Sequence, residues 1–510
     1  MPSLESNNIA KGTLQITSTN AIQYLIMGLF YIAVTKTNAL TPTDLGVLSV
    51  LSFLASTFCL FTTLTLPTAL AKFASENLGK NQLEEAAAIQ KTAIRAVVTL
   101  SLAGFVTIAL FSEIISQYFW GTPNYAFFII LMTINALLLN LSTLYQSSLQ
   151  ALRLFGKMAV VSILSIVFSR TIAVILALMH LSVSGVLIGY IAGSFIAVAA
   201  AIAFTRGKIS YSTNGAPIKP LLHFSFPLFL SSLTLLVLNW GDIVILASVT
   251  SNYALVGIYR IVVSSISVLS VIYVPIMVTI LPVLSARYSL KNPEGIGKIL
   301  RTASRYLFYV MIPSCLGLAT IAPTALTFFY GPDYTSGAIP LAILSVSVIL
   351  LALYSLFTTA LTALGKTKQV LKISIASALL TLALLITLVP FFKGVGAALT
   401  RLTVQAISLT LAIYTLQKYV KVRLDMEALW KSAAASTATA PILMVIEFTI
   451  SRKIPTIQVL TIEILAASST YLLALYILKA LNSQDFELLR QAFPKALSKY
   501  INILEGLIVR

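Results

Sequence analysis

The chain of 510 residues is 58% hydrophobic and 10% charged, with a formal net charge of +18. Soluble globular domains carry about 25% charged residues, so this composition excludes an ordinary soluble protein. Two cysteines, Cys59 and Cys315, both lie in apolar runs; they leave no disulfide or metal framework and read as buried small hydrophobes.

Apolar runs of about 20 residues, each enough to cross roughly 30 Å of hydrocarbon as a helix, recur along the whole length. They predict fourteen spanning helices, at 13–34, 45–70, 93–114, 125–151, 158–180, 185–204, 221–249, 254–283, 303–328, 338–363, 369–390, 394–417, 430–450 and 457–479. Turn residues separate them: Pro42, Gly121 with Pro123, Gly215 with Pro217, Gly331 with Pro332, and Pro455. No small-residue cleavage site follows the first run, which therefore reads as a retained helix rather than a signal peptide. The hydrophilic connections near 72–92, 205–220 and 284–302 are short, so no soluble domain interrupts the series.

Basic residues stay on the cytoplasmic side of a membrane protein. Alternate connections and both ends hold 27 of the 34 lysines and arginines, and the opposite connections hold four: Lys36, Lys393, Arg452 and Lys453. Both termini are then cytoplasmic, and the positive charge is topology rather than a nucleic-acid surface. Beyond residue 482, Phe486, Leu489, Phe493, Leu497, Tyr500, Leu504 and Leu507 recur at helical spacing. That tail reads as an amphipathic helix on the inner membrane surface.

Part of the chain is written twice. Leu66-Pro67 with Lys72-Phe73 returns as Leu281-Pro282 with Arg287-Tyr288, and Lys91-Thr92-Ala93 with Arg95 as Arg301-Thr302-Ala303 with Arg305. Phe119 and Gly121 with Pro123 and Tyr125 match Phe329 and Gly331 with Pro332 and Tyr334. Gly156-Lys157 and Gly185-Val186 match Gly365-Lys366 and Gly394-Val395. Collinear echoes at offsets of 209 to 215 residues mark a duplication. The expected organisation is a six-helix lobe at 1–204, a cytoplasmic linker at 205–220, a second six-helix lobe at 221–419, an appended hairpin at 420–481 and the tail at 482–510. Six is even, so both lobes enter the membrane with the same orientation, and parallel repeats place a substrate site between them.

No catalytic set is present. His180 and His223 are the only histidines, and neither has metal-ligand spacing. Phosphate-cradling glycine loops are absent, so the expectation is a non-enzymatic transporter with no cofactor and no metal. Ionisable groups inside a span face a partner or a cavity. Three arginines qualify: Arg170 in span 5, Arg260 in span 8 and Arg401 in span 12. Arginine suits phosphate because its planar fork keeps its charge when desolvated. Asp242 and Arg260 fall at equal depth in one hairpin, either as a structural salt bridge or as a cavity cation governed by a carboxylate. Glu447 and Glu463 are matched in depth in the appended hairpin and read as structural. Thr13, Thr17, Asn20 and Tyr24, with Gln23 beside them, form a polar stripe on the first helix. Asn239 and Trp240 lie on its counterpart, the seventh. Such residues bond between helices or line a hydrated cleft, where Trp240 stacks on a sugar. Trp120 and Trp430 read as interfacial anchors.

Two six-helix units, an added hairpin, the Gly156-Lys157 and Gly365-Lys366 steps and the Leu-Pro…Lys/Arg-Phe/Tyr motifs together resemble the polysaccharide flippases. Their superfamily also holds multidrug and toxin extrusion transporters and the lipid II flippase. The resemblance implies an all-α polytopic fold in the cell membrane. It also implies movement of a poly- or dolichyl-phosphate-type lipid-linked oligosaccharide to the outer leaflet by alternating access, for glycan biosynthesis. Arg260 best matches the cation that holds the phosphate; Arg401 and Arg170 match by chemistry alone. The first two spans contain no arginine, a departure from the lipid II branch that argues against a peptidoglycan precursor. The alternatives are a cation-coupled drug antiporter using Asp242, and a membrane scaffold recruiting glycosyltransferases.

Overall fold

A computed structural model describes residues 2–206, 215–422, 424–450 and 456–480. All regular structure among them is helical. The tail beyond 482, with its expected amphipathic helix, lies outside the described residues, as do Arg452 and Lys453 and the side chain of Glu447. The helices are α1 (Pro2–Lys36), α2 (Pro42–Thr63), α3 (Leu66–Gly79), α4 (Leu83–Trp120), α5 (Ala126–Ala151), α6 (Phe155–Leu176), α7 (Ser182–Thr205), α8 (Ile218–Thr250), α9 (Tyr253–Ser267) and α10 (Ser270–Ser289). They continue as α11 (Pro293–Thr320), α12 (Ala322–Tyr330), α13 (Ala338–Ala363), α14 (Thr367–Gln417), α15 (Met426–Ile450) and α16 (Thr456–Ile477).

Ten stretches are long and apolar enough to cross a membrane, and two of them run for 51 residues. A straight helix of that length would measure about 76 Å, more than twice the hydrocarbon thickness. Each is in fact a hairpin. Between α6 and α7, His180 takes a left-handed φ of 62°, and a Cβ on Gly189 or Gly193 would run into Ala173 or Ser169 of the returning helix. Within α14, Lys393 has a φ of 50°, and Gly396 lies against the Leu388 carbonyl. With these two hairpins opened, together with α1 and the bent pair α11–α12, the fourteen expected spans are all present as helices. The protein is a multi-pass membrane protein.

Three expected spans are broken. The span read as 45–70 is split by Leu64 and Thr65, both left-handed with φ of 47° and 56°, into α2 and α3. The span read as 254–283 divides between α9 and α10, and α11 bends by 75° into α12. Part of the expected connection at 72–92 is helical, since α3 runs to Gly79 and α4 begins at Leu83.

The chain forms two compact units. The first comprises residues 1–268 with 374–400. Its core seats Leu66, Ala69, Leu70 and Ala74 of α3 on Ala86, Ile89, Ala93 and Val97 of α4, closed by Leu144 and Leu221. Polar side chains tie the spans where hydrocarbon offers no partner: Asn140 donates to Thr62 at 2.8 Å and to Ser101 at 3.0 Å, and Ser194 donates to Asn135 at 2.7 Å. α4 turns Val106, Leu110, Phe111 and Ile114 outward, a face whose solvent is lipid.

The second unit comprises residues 269–373 and 401–510. Here Pro313 lies inside α11 and removes the N–H that would bond the Tyr309 carbonyl four residues back. Tyr471 of α16 donates to that freed carbonyl at 2.9 Å, and Ser432 of α15 donates to the Phe308 carbonyl at 2.9 Å. The Tyr309 hydroxyl in turn holds the Ala480 carbonyl at 2.6 Å. The carbonyls one turn before Pro313 thus dock the last two spans.

Candidate functional site

The first unit gathers its two membrane arginines around α1. Arg260 enters from α9, a helix started by the Asn252 side chain, which accepts from the Leu255 N–H at 3.0 Å. Its Nε donates to the Tyr31 hydroxyl at 3.3 Å, and its guanidinium lies 4.9 Å from the Trp240 ring centre. Arg170 enters from α6. Its guanidinium lies 4.8 Å from the ring centre of Phe30 and 4.2 Å from that of Tyr190. Phe30 and Tyr31 are themselves in edge contact at 5.4 Å, so consecutive residues of α1 serve one arginine each.

Ring faces attract a desolvated guanidinium by about 2 kcal/mol but accept none of its N–H bonds. Nε and Nη1 of Arg170 are buried and meet no hydrogen-bonding partner in the protein. An unsatisfied buried donor costs about 1–3 kcal/mol. The arrangement therefore fixes a cation in place and leaves two of its donors unspent. Arg260, by contrast, has Nε committed to Tyr31, which orients the rest of its fork. Tyr31, Arg170 and Arg260 lie five to seven residues from the ends of α1 and α6 and the start of α9. That is about 8–11 Å along the helix axis, toward the face where the connections carry few basic residues.

Asp242 is buried, with a relative exposure of 3%. Its carboxylate accepts the Tyr259 hydroxyl at 3.0 Å and the Ile243 N–H at 2.9 Å. Neighbouring residues Tyr259 and Arg260 therefore reach different partners: the tyrosine anchors to Asp242 and the arginine to Tyr31.

On α1, Asn20 is exposed and Gln23 half-buried. They lie eleven and eight residues before Tyr31, about 12–17 Å away along the helix, at a separate depth from the arginines. Asn239 is exposed on α8 beside Trp240. Arg401 belongs to the second unit, where it is half-buried on α14 one turn before Gln405, whose Oε1 is buried without a partner. Glu463 is buried on α16, at 1% exposure. Trp430 is exposed at a helix end, whereas Trp120 stacks on Tyr125 at 4.9 Å and Tyr253 at 5.7 Å and so joins two connections.

Phe30, Tyr31 and Tyr190 were not singled out from sequence. One signal for Tyr31 was available. It lies seven residues after Tyr24, so it extends the polar stripe Thr13, Thr17, Asn20, Tyr24 by two further turns of the same face.

A sequence-family model described as "Polysaccharide biosynthesis protein" matches residues 9–287, more than half of the chain, and this region holds Arg170 and Arg260. The probable flippase AglR of Haloferax volcanii is 26% identical over 302 residues, covering 56% of this chain and 61% of the relative. The chain thus spans less than two thirds of that relative's length. Among solved structures, the lipid II flippase MurJ in an inward closed conformation aligns with a TM-score of 0.74 at 16% identity, covering 91% of this chain and 98% of that one. An inward-facing multidrug resistance MATE family transporter of the MOP superfamily aligns at 0.60 and 15% identity, covering 78% and 96%. These structures share the fold.

Proposed function

Because the chain belongs to the polysaccharide biosynthesis protein family, we propose that it is a flippase for a lipid-linked oligosaccharide. In this reading Arg170 and Arg260 hold the phosphate that joins glycan to polyprenol. The observation that carries the reading is the pair of buried, unpartnered nitrogens on Arg170, beside a second arginine on a shared aromatic support. Charge-assisted bonds to phosphate are about twice as strong as neutral ones, so an anionic headgroup meets the need that the aromatic cage leaves. The printed names of AglR and MurJ, both flippases, lend support.

The six-helix lobes at 1–204 and 221–419 rock about the site, while the prenyl tail stays in lipid. Arg401 is the third cation on the route. Asn20, Gln23 and Asn239 bond sugar hydroxyls, and Trp240, with Arg260 on its ring, leaves one face for a sugar. With both termini cytoplasmic in the cell membrane, an inside-negative potential assists the outward passage of each phosphate charge by about 2.3 kcal/mol per 100 mV. Glycosyltransferases at the basic face supply the substrate.

The test is a leaflet assay in vesicles with a fluorescent polyprenyl-phosphate-linked sugar, in which an impermeant reductant bleaches label that reaches the outer leaflet. Arg260→Ala and Arg170→Ala should each slow translocation at least tenfold with membrane insertion intact; wild-type rates in both would remove the arginines from the path. A second reading, a cation-coupled drug antiporter, draws on the buried carboxylate of Asp242. It predicts that Asp242→Asn abolishes drug efflux and leaves lipid movement unchanged.

A further inference from the structure

α2 and α9 cross at backbone contact. A Cβ on Gly46 would collide with the carbonyl of Tyr253, and a Cβ on Gly257 with the carbonyl of Pro42. The contact is reciprocal, because each glycine meets the residue four positions before the other glycine. Such exchange is the signature of a two-fold contact, here between the duplicated copies of one chain. Leu45-Gly46-Val47 and Val256-Gly257-Ile258 are separated by 211 residues, within the offsets of the other echoes. The N-caps match at the same offset: Thr41 caps α2 in a capping box with Asp44, and Asn252 caps α9.

The two copies differ one turn further along. Three residues past Gly257 stands Arg260; three past Gly46 stands Ser49, which is buried and closes its hydroxyl on the Leu45 carbonyl at 2.6 Å. One copy delivers a cation, the other a self-satisfied small residue.

We propose that Gly46 and Gly257 are positioning residues for the anion site: their crossing seats α9 on α2 at backbone distance and thereby sets where the Arg260 guanidinium meets Tyr31 and Trp240. The proposal rests on the reading of Arg260 as a headgroup ligand. Val256, Tyr259, Ile261 and Val262 flank the glycine and are buried, so α9 is locked in rotation by its apolar neighbours. What the glycines add is the distance between axes. An added methyl at either position must push α9 outward and carry Arg260 with it, since the obstructing atoms are backbone carbonyls that no rotamer change can clear.

The experiment is equilibrium binding of a fluorescent polyprenyl phosphate to the purified full chain in micelles. Gly257→Ala and Gly46→Ala should each weaken binding about tenfold. Combined with Arg260→Gln, which itself weakens binding, either alanine should add less than a twofold further loss, because the group being positioned is gone. A tenfold loss that persists in the Arg260→Gln background would make the crossing merely structural and overturn the proposal, as would wild-type binding by both alanine variants. If Arg260→Gln alone binds like the wild type, the headgroup reading fails instead. Should an alanine variant not accumulate, Asn252→Ala takes its place. It loosens the start of α9 without adding an atom at the crossing, and should weaken binding two- to fivefold in the wild-type background and not at all with Arg260→Gln; an equal loss in both backgrounds would count against the proposal.

Discussion

Arginines near the spans are held in two contrasting ways in the two units. In the second unit, Arg305 donates to the Ala480 carbonyl at 3.4 Å, and Arg301 meets the Asp425 carboxylate at 3.5 Å. These contacts fasten the α15–α16 hairpin region to α11, and the Arg305 guanidinium also lies 5.7 Å from the Tyr309 ring centre. In the first unit, Arg170 is gripped by the ring faces of Phe30 and Tyr190 and keeps Nε and Nη1 unspent. Aromatic faces immobilise the Arg170 guanidinium while Nε and Nη1 stay unspent, even though the Tyr190 side chain also hydrogen-bonds this arginine. On the proposed function, the ring-held pair is what meets an incoming anion, and the cations fixed by a carbonyl or carboxylate act as fasteners.

The contrast is best broken by removing the ring-held charges first. The double variant Arg170→Ala with Arg260→Ala should lose more than a hundredfold in translocation rate, since hydrogen bonds to charged groups are worth about 1.5–3 kcal/mol each. Next comes Arg170→Lys, which keeps the charge but gives up the planar stack and the fork. A loss of about tenfold in affinity for polyprenyl phosphate is expected, at a stacking worth of about 1–2 kcal/mol; an unchanged affinity would show that charge alone suffices. Tyr31→Phe removes a single hydroxyl and frees Arg260 Nε. It should weaken binding about two- to tenfold, following the roughly 0.5–1.5 kcal/mol of one hydrogen bond. The smallest functional effect belongs to the second unit. Tyr471→Phe abandons the carbonyl freed by Pro313 and should cost about 1 kcal/mol of stability, visible as a lowered thermal midpoint, with binding unaltered.

Much of this was legible in the sequence, for identifiable reasons. A span announces itself through its hydropathy because lipid tolerates only satisfied helical backbone, so all fourteen helices could be placed. Arg170 and Arg260 stood out because a charge inside a span is costly. The cage around them did not stand out, since Phe30 and Tyr190 are ordinary residues in an apolar run and acquire their role only when α1, α6 and α7 pack. The break at Leu64 and Thr65 was hidden for a different reason. Neither residue favours the left-handed region, and the turn is held by tertiary contacts such as the Thr65 hydroxyl on the Ser225 carbonyl at 2.9 Å. Asp242 and Arg260 were matched in depth by counting residues, but counting gives height along a helix, not direction around it. The structure sends Tyr259, rather than Arg260, to the Asp242 carboxylate in the contact it makes at 3.0 Å.

The most direct measurement is the leaflet assay on the Arg170→Ala/Arg260→Ala variant alongside Arg305→Ala, each normalised to the amount of folded protein in the vesicle. Translocation of the phosphate-linked sugar should vanish in the first and persist near the wild-type rate in the second. Equal loss in both, or full activity in the ring-held variant, would contradict the assignment of the aromatic-supported arginines as the anion-carrying site.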